Sequence, residues 1–307
     1  MARKADPEHA KGQIRVGPAG WSYADWTGIV YPARRGPDFH EAAFLADYFD
    51  TIEINTTFYQ PLRPETARRW VELVSKNAKF LFTAKLWQRF THEREAGDED
   101  ERAFRAGLAP LAEAGRLGAL LMQFPFSFHN TPENRAKLES LARRFRDFPL
   151  VAEVRHATWN RRDFFEWLHA KGVGFCNIDQ PVIGRSMKPT ERATAPVGYI
   201  RLHGRRYDTW FSDDPGSPPE ERYNYLYAGA ELEPWAERAR HVARHAPSTF
   251  VITNNHFQGK AVVNALELIH LLTQAKVSVP EPLRHHYPEL NKIANEPERE
   301  PTLFSEL

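Results

Sequence analysis

The stretch Val151-Ala152-Glu153-Val154-Arg155 decides the fold. Alternate residues of a strand point to opposite faces, so Ala152 and Val154 share one side while Glu153 and Arg155 share the other. Glu153 and Arg155 close a short apolar run, Leu150–Arg155, and there are seven further runs, all but the first ending in a similar way: Ile14–Gly17, Thr51–Asn55, Lys79–Lys85, Ala119–Phe124, Val173–Asp179, Val197–His203 and Thr249–Asn255. Helical periodicity fills most of the gaps, over Glu41–Phe49, Pro64–Asn77, Asp98–Ala114, Pro132–Phe145, Arg161–Lys171, Glu231–Ala246 and Gly259–Gln274. Within the fourth of these, Leu138, Leu141, Ala142 and Phe145 recur at the spacing of a helix packed on a sheet. Pro64 and Pro132 stand at helix starts, where a missing N–H costs nothing.

Eight strands alternating with helices predict an α/β fold, a single (β/α)8 TIM-like barrel with an irregular crossover after strand 6 and an extended C-terminal tail. The crossover is Gln180–Pro196, which holds three prolines and little apolar periodicity. The domain reading is a polar arm over 1–13, the barrel over 14–277 and a Pro/Glu-rich tail over 278–307. Active sites of such barrels lie where the strand C-termini converge, and here those ends carry the polar residues.

The alternation test applied to the other runs predicts a ring of inward side chains. Thr51–Asn55 contributes Glu53 and Asn55, Phe80–Lys85 contributes Thr83 and Lys85, and Ala119–Phe124 contributes Gln123. Val173–Asp179 contributes Asn177 and Asp179, Tyr199–His203 contributes Arg201 and His203, and the last run contributes either Asn254 or Asn255. Charges are costly to bury unless paired, so one reading is a structural ion-pair network in which Arg155 and Arg201 orient Glu153 and Glu53. The functional reading is a small-molecule site. Glu153 is its candidate general acid or base, with Glu53 as a second catalytic carboxylate. Lys85 would bind an anion, polarise a carbonyl or form a Schiff base, and His203 would transfer protons near neutral pH. Asn55, Tyr59, Gln123, Arg155, Asp179, Arg201, Asn254, Asn255 and Trp21 are the expected substrate contacts. Two carboxylates would also suit a glycosidase at the right separation.

A second constellation, His203-Gly204-Arg205-Arg206 with Asn254-Asn255-His256-Phe257-Gln258-Gly259-Lys260, places glycine, basic residues and a helix start together. It predicts an anion site formed by Arg205, His256, Gly259 and Lys260, against the plainer reading of a capped helix. Aromatic residues crowd the same rim: Trp21, Tyr23, Trp26, Phe58, Tyr59, Trp87, Trp159, Tyr207, Trp210 and Phe211. No metal or other cofactor is expected. No paired-cysteine or His-x-x-x-His spacing occurs, though carboxylates and histidines of the ring could ligate a divalent ion. Neither a G-x-x-x-x-G-K-[ST] nor a G-x-G-x-x-G loop is present.

Lysines and arginines (41) nearly balance aspartates and glutamates (40) among 307 residues, so the overall field does not select a polyanion such as nucleic acid. The single cysteine, Cys176, lies inside an apolar run and reads as a buried thiol. With no apolar signal core and no membrane-length apolar stretch, a soluble cytoplasmic protein is expected.

Seven ordered motifs carry a family likeness: Gly20-Trp21-Ser22-Tyr23; Glu53-Ile54-Asn55 with Phe58-Tyr59; Phe82 to Lys85; Gln123-Phe124-Pro125 with Ser127-Phe128; Glu153-Val154-Arg155-His156 with Trp159; Arg201-Leu202-His203-Gly204; and Asn254-Asn255-His256 with Gly259, Ala261 and Asn264-Ala265. Over about residues 14–275 the chain resembles the YecE-like proteins, the family labelled domain of unknown function seventy-two. The resemblance implies a TIM-barrel-like fold and no established activity.

The leading functional expectation is an enzyme working by metal-independent acid/base chemistry on a small polar substrate with an anionic, sugar-like or phosphate-like part. One alternative is a metal-dependent phosphodiesterase or nucleic-acid-processing barrel. Another is a binding or adaptor protein, because Pro301-Thr302-Leu303-Phe304 forms a short apolar anchor after a charged stretch and is loosely similar to sliding-clamp peptides.

Overall fold

Strands buried on both faces are rich in Val, Ile, Leu and Phe rather than cleanly alternating, and the eight runs have that composition. In the computed structural model, which describes residues 12–93, 96–208 and 219–296, each run forms a strand. These are β1 (Gln13–Pro18), β2 (Thr51–Ile54), β3 (Leu81–Lys85), β4 (Leu117–Gln123), β5 (Leu150–Glu153), β6 (Gly174–Asp179), β7 (Val197–Leu202) and β8 (Ser248–Thr253). All pairings are parallel, in the order β1-β8-β7-β6-β5-β4-β3-β2. The ring is almost closed: Ala19 bridges to Glu53, and the Gly20 N–H donates to the Glu53 carbonyl at 2.8 Å. Gly17 permits this approach, since a Cβ there would lie 1.9 Å from the Thr51 carbonyl oxygen.

Between the strands lie α1 (Glu41–Ala46), α2 (Thr56–Tyr59), α3 (Pro64–Leu73), α4 (Gln88–Thr91), α5 (Asp98–Glu113), α6 (Pro132–Arg144), α7 (Arg162–Lys171) and α8 (Gly229–Ala243), and after the last strand come α9 (Lys260–Thr273) and α10 (Glu281–His286). Local chemistry sets their ends. The Thr131 hydroxyl accepts from the Asn134 N–H ahead of Pro132, and Gly172 closes α7 in the left-handed conformation. That closure returns the chain to β6 in very few residues. On α6 the buried residues are Leu138, Leu141 and Ala142, the stripe expected from the spacing.

The crossover after β6 contains no helix. It lies beside β5, where Ser186 bridges to His156 and the Met187 N–H donates to the Arg155 carbonyl at 2.7 Å. Of the stretch read as a tail, residues 278–296 pack against the barrel. Leu283 of α10 lies beside Gly259, and Val277 pairs with Ala294. Trp210, Phe211 and the apolar anchor 301–304 lie outside the described residues. No described helix is long and apolar enough to cross a membrane.

Candidate active site at the mouth of the barrel

Strands in parallel register present paired residues on the same side, so the register identifies the inward set. Tyr199 pairs with Phe250 and their rings meet 6.0 Å apart inside the barrel. Above them the Tyr199 hydroxyl donates to Glu53 Oε2 at 2.9 Å and lies 2.8 Å from the Thr83 hydroxyl. One level higher, Arg201 bridges two carboxylates, with Nη2 at 2.8 Å from Glu53 Oε1 and Nη1 at 2.6 Å from Glu153 Oε2. Its Nη1 also donates to Gln123 Oε1 at 3.1 Å. The other Glu153 oxygen accepts from Arg155 Nε and Nη2, at 3.0 and 2.9 Å, and lies 3.3 Å from His203 Nε2. Lys85 Nζ stands 3.5 Å from Glu53 Oε1.

The side chains of Glu53, Glu153, Arg201 and His203 are fully buried, whereas Lys85 and Arg155 retain 11% and 19% exposure. This gradient separates a sealed layer from a layer that meets solvent. Three cationic side chains surround two carboxylates, so the arrangement carries one formal positive charge in excess, and its reachable members are cations.

The environment sets the protonation states. Burial alone would raise the Glu153 carboxyl, but Arg201, Arg155 and His203 outweigh it and hold it well below the ordinary carboxylate range. Glu153 is thus an ionised carboxylate sealed from solvent, held by two arginines. His203 is driven down to about 3, chiefly by burial, with Glu153 opposing and Arg155 and Arg201 assisting. The imidazole is therefore neutral at pH 7, with its Nδ1 3.1 Å from Asn254 Nδ2. Lys85 is lowered to about 8, first by burial and then, against the pull of Glu53, by Arg201. Among these groups it is the one poised near neutral pH while facing open space.

That space is a pocket of about 480 Å³ lined by Lys85, Arg155, Asn55, Gln123 and Asn254, and further out by Trp21, Tyr23, Phe58, Tyr59, Trp70, Tyr223 and His256. It runs from the barrel axis outward between the loops after β1 and β2, reaching His40 and Glu41 at the start of α1. A larger cavity, about 590 Å³, lies at the opposite end of the strands between β1, α8 and α9 and contains none of these residues.

The expected ring is assembled on five strands and misplaced on one. Cys176 pairs with Tyr199 in register and faces inward, its Sγ 3.8 Å from Glu153 Oε2. Asp179 pairs with outward-facing Leu202, and Asn177 shares its face. Asp179 accepts from Arg205 Nε and Nη2 at 2.9 and 3.1 Å, and Asn177 holds the crossover through Thr190 and Arg192. Alternation misled here because both faces of β6 are buried and the polar side chains serve the crossover and the β7 loop. The last run is resolved as well: Asn254 turns to His203, while Asn255 donates to the Tyr225 carbonyl and to Asn264 on the helix side.

The expected anion site is not brought together. Arg205 is engaged by Asp179 and Glu231, Lys260 by Asn224, and Gly259 packs against Val30 and Leu283. Of that set only His256 lines the pocket, its ring stacked on Tyr23 with centroids 4.3 Å apart. Sequence reasoning missed Tyr199, although its parity with Arg201 and His203 in Val197–His203 was the available signal. It also missed Trp70, His40, Glu41 and Tyr223, which loops and helices bring to the rim without any strand periodicity. Among the described residues, no three His, Cys, Asp or Glu side chains are grouped to hold a metal ion.

The family described as protein of unknown function DUF72 matches residues 15–288, nearly the whole barrel. The chain belongs to the DUF72 family. A DUF72 family protein from Thermotoga maritima shares 32% identity, with 85% of this chain and 99% of that chain covered and a TM-score of 0.73. A second, from Enterococcus faecalis, shares 26% identity over 85% of this chain and 96% of that chain, with a TM-score of 0.75. No curated protein matches this DUF72 chain.

Proposed function

We propose that this DUF72 barrel is an enzyme that binds a small anionic substrate in the mouth pocket, with Lys85 as its proton-transfer group and Arg155 as its partner in holding negative charge. The observation that carries this reading is Lys85 itself, 11% exposed in a pocket wall and lowered to about 8. A proton-transfer group works best with a pKa near the operating pH, and a cation in a partly desolvated pocket stabilises developing negative charge. Glu153 and Glu53 supply the fixed negative charge that lets three cations share the site, and so act on substrate through Arg155, Arg201 and Lys85. Hydrolase, lyase and isomerase chemistry all use such an arrangement. A metal-dependent route gains no grouped ligand set from the described residues.

Sulfate, which stays fully ionised over the range, is the probe. Calorimetric titration between pH 6.5 and 9.5 is expected to show binding that weakens as pH rises through about 8 and that Lys85→Met reduces at least tenfold at pH 7, on the order of 1.4 kcal/mol. Binding unaffected by Lys85→Met would overturn the assignment.

A further inference from the structure

The hydrogen bonds of the mouth dictate which way each amide points, and that pattern restricts the ligand beyond its charge. The Tyr23 hydroxyl donates to the Ala19 carbonyl at 2.7 Å, so it accepts from Asn55 Nδ2 at 3.0 Å. Asn55 Oδ1 is thereby left buried with no partner among the described residues. Neutral His203 turns one ring nitrogen toward Glu153 Oε1, a carboxylate oxygen that only accepts, so Nδ1 is the acceptor for Asn254 Nδ2. Asn254 Oδ1 is then a second acceptor. Gln123 Oε1 is taken by Arg201 Nη1 at 3.1 Å, which leaves its Nε2 as a donor. The pocket residues thus offer a donor at Gln123, an acceptor at Asn254 and, recessed beneath the wall, an unpartnered acceptor at Asn55, close to two cations.

A fully ionised anion such as sulfate satisfies Lys85 and Arg155 but has no hydrogen to give Asn55 or Asn254, and inorganic phosphate near neutral pH, mainly with a single P–OH, cannot serve both. An aryl ester of an anion leaves the same acceptors desolvated and unpaired, which a site pays for heavily in affinity. Hydroxyl groups both donate and accept, and several on one ring can serve all three amides. Tyr59, 66% exposed at the pocket edge, adds a flat ring of the kind on which a sugar face stacks. We infer that the substrate is an acidic sugar: a phosphate or carboxylate on Lys85 and Arg155, hydroxyls on Asn55, Gln123 and Asn254, and the ring against Tyr59. The inference rests on the anion-binding reading of Lys85 and Arg155 above.

The test is calorimetric titration of the full chain at pH 7.5 with inorganic phosphate, phenyl phosphate, and a panel of hexose and pentose phosphates and hexuronates. The best sugar is expected to bind at least about tenfold tighter than either inorganic phosphate or phenyl phosphate. Asn55→Ala and, separately, Tyr59→Ala should each lower the ratio of sugar to inorganic phosphate affinity about fivefold or more, and Tyr59 is exposed enough for that change to spare the fold. Lys85→Met should weaken sugar phosphate and inorganic phosphate alike. Phenyl phosphate equalling the best sugar, or no sugar exceeding inorganic phosphate, would overturn the sugar inference and leave the anion site standing. Inorganic phosphate that fails to bind, or binds Lys85→Met as well as the parent, would remove both.

Discussion

Replacing Glu153 by glutamine separates an electrostatic anchor from a proton shuttle. The substitution keeps the shape but removes a negative charge that touches Arg201 at 2.6 Å and Arg155 at 2.9 Å. Arg201, fully buried, would retain only Glu53 at 2.8 Å as its counter-charge. Removing one partner of a buried ion pair costs about 3–5 kcal/mol, a large share of the ~5–15 kcal/mol that holds a domain folded. The variant should therefore fold but unfold early. Urea titration followed by tryptophan fluorescence should show the midpoint falling by roughly 1–2 M, given slopes near ~3 kcal/mol/M for a large domain. A second readout is pH. The folded carboxyl lies below its unfolded value, so its contribution is fully present above the ordinary carboxylate range and is lost as pH falls toward the depressed folded value. The Glu153→Gln protein lacks that contribution, so its stability should decline less steeply on acidification below about pH 5. A loss under about 1 kcal/mol, with an unchanged acid profile, would refute the anchor reasoning.

Three further outcomes follow from the same geometry. Because the folded Lys85 lies at about 8, below its ordinary 10.5, the unfolded chain holds the extra proton between those values; across that window the parent should gain about 3 kcal/mol of stability relative to Lys85→Met, a difference in which the raised Cys176 and buried tyrosines cancel, as paired pH-resolved melting would show. Arg205→Ala should lower stability by about 1–3 kcal/mol, because Asp179 is buried and would lose both its arginine contacts, yet sulfate affinity should not change; a lost anion site there would show the reverse. Gly17→Ala should abolish or severely weaken folding, measured by circular dichroism, since a Cβ 1.9 Å from the Thr51 oxygen cannot coexist with barrel closure; a native melting curve would contradict the closure argument.

Much of the barrel was legible because a parallel barrel needs short apolar strands, and the helices between them carry their own periodicity and caps. The ends of β2, β3, β4, β5 and β7 were legible too, since polar residues at alternate positions beyond an apolar run point into the mouth. On β6 the same rule failed. Cys176 rather than Asp179 faces the axis, because with both faces buried, polarity no longer labels the inside.

The sequence by itself determined the strand count, the parallel α/β order, the family and the polar residues that five of the strands bring to the mouth. Only the tertiary structure decided what those residues are able to do. Proton affinity depends on burial and on the distances between charges, neither of which strand parity reports. Burial holds His203 neutral, the nearby arginines keep the sealed Glu153 ionised, Arg205 is committed to Asp179, and Lys85 and Arg155 are the ring cations that line the pocket.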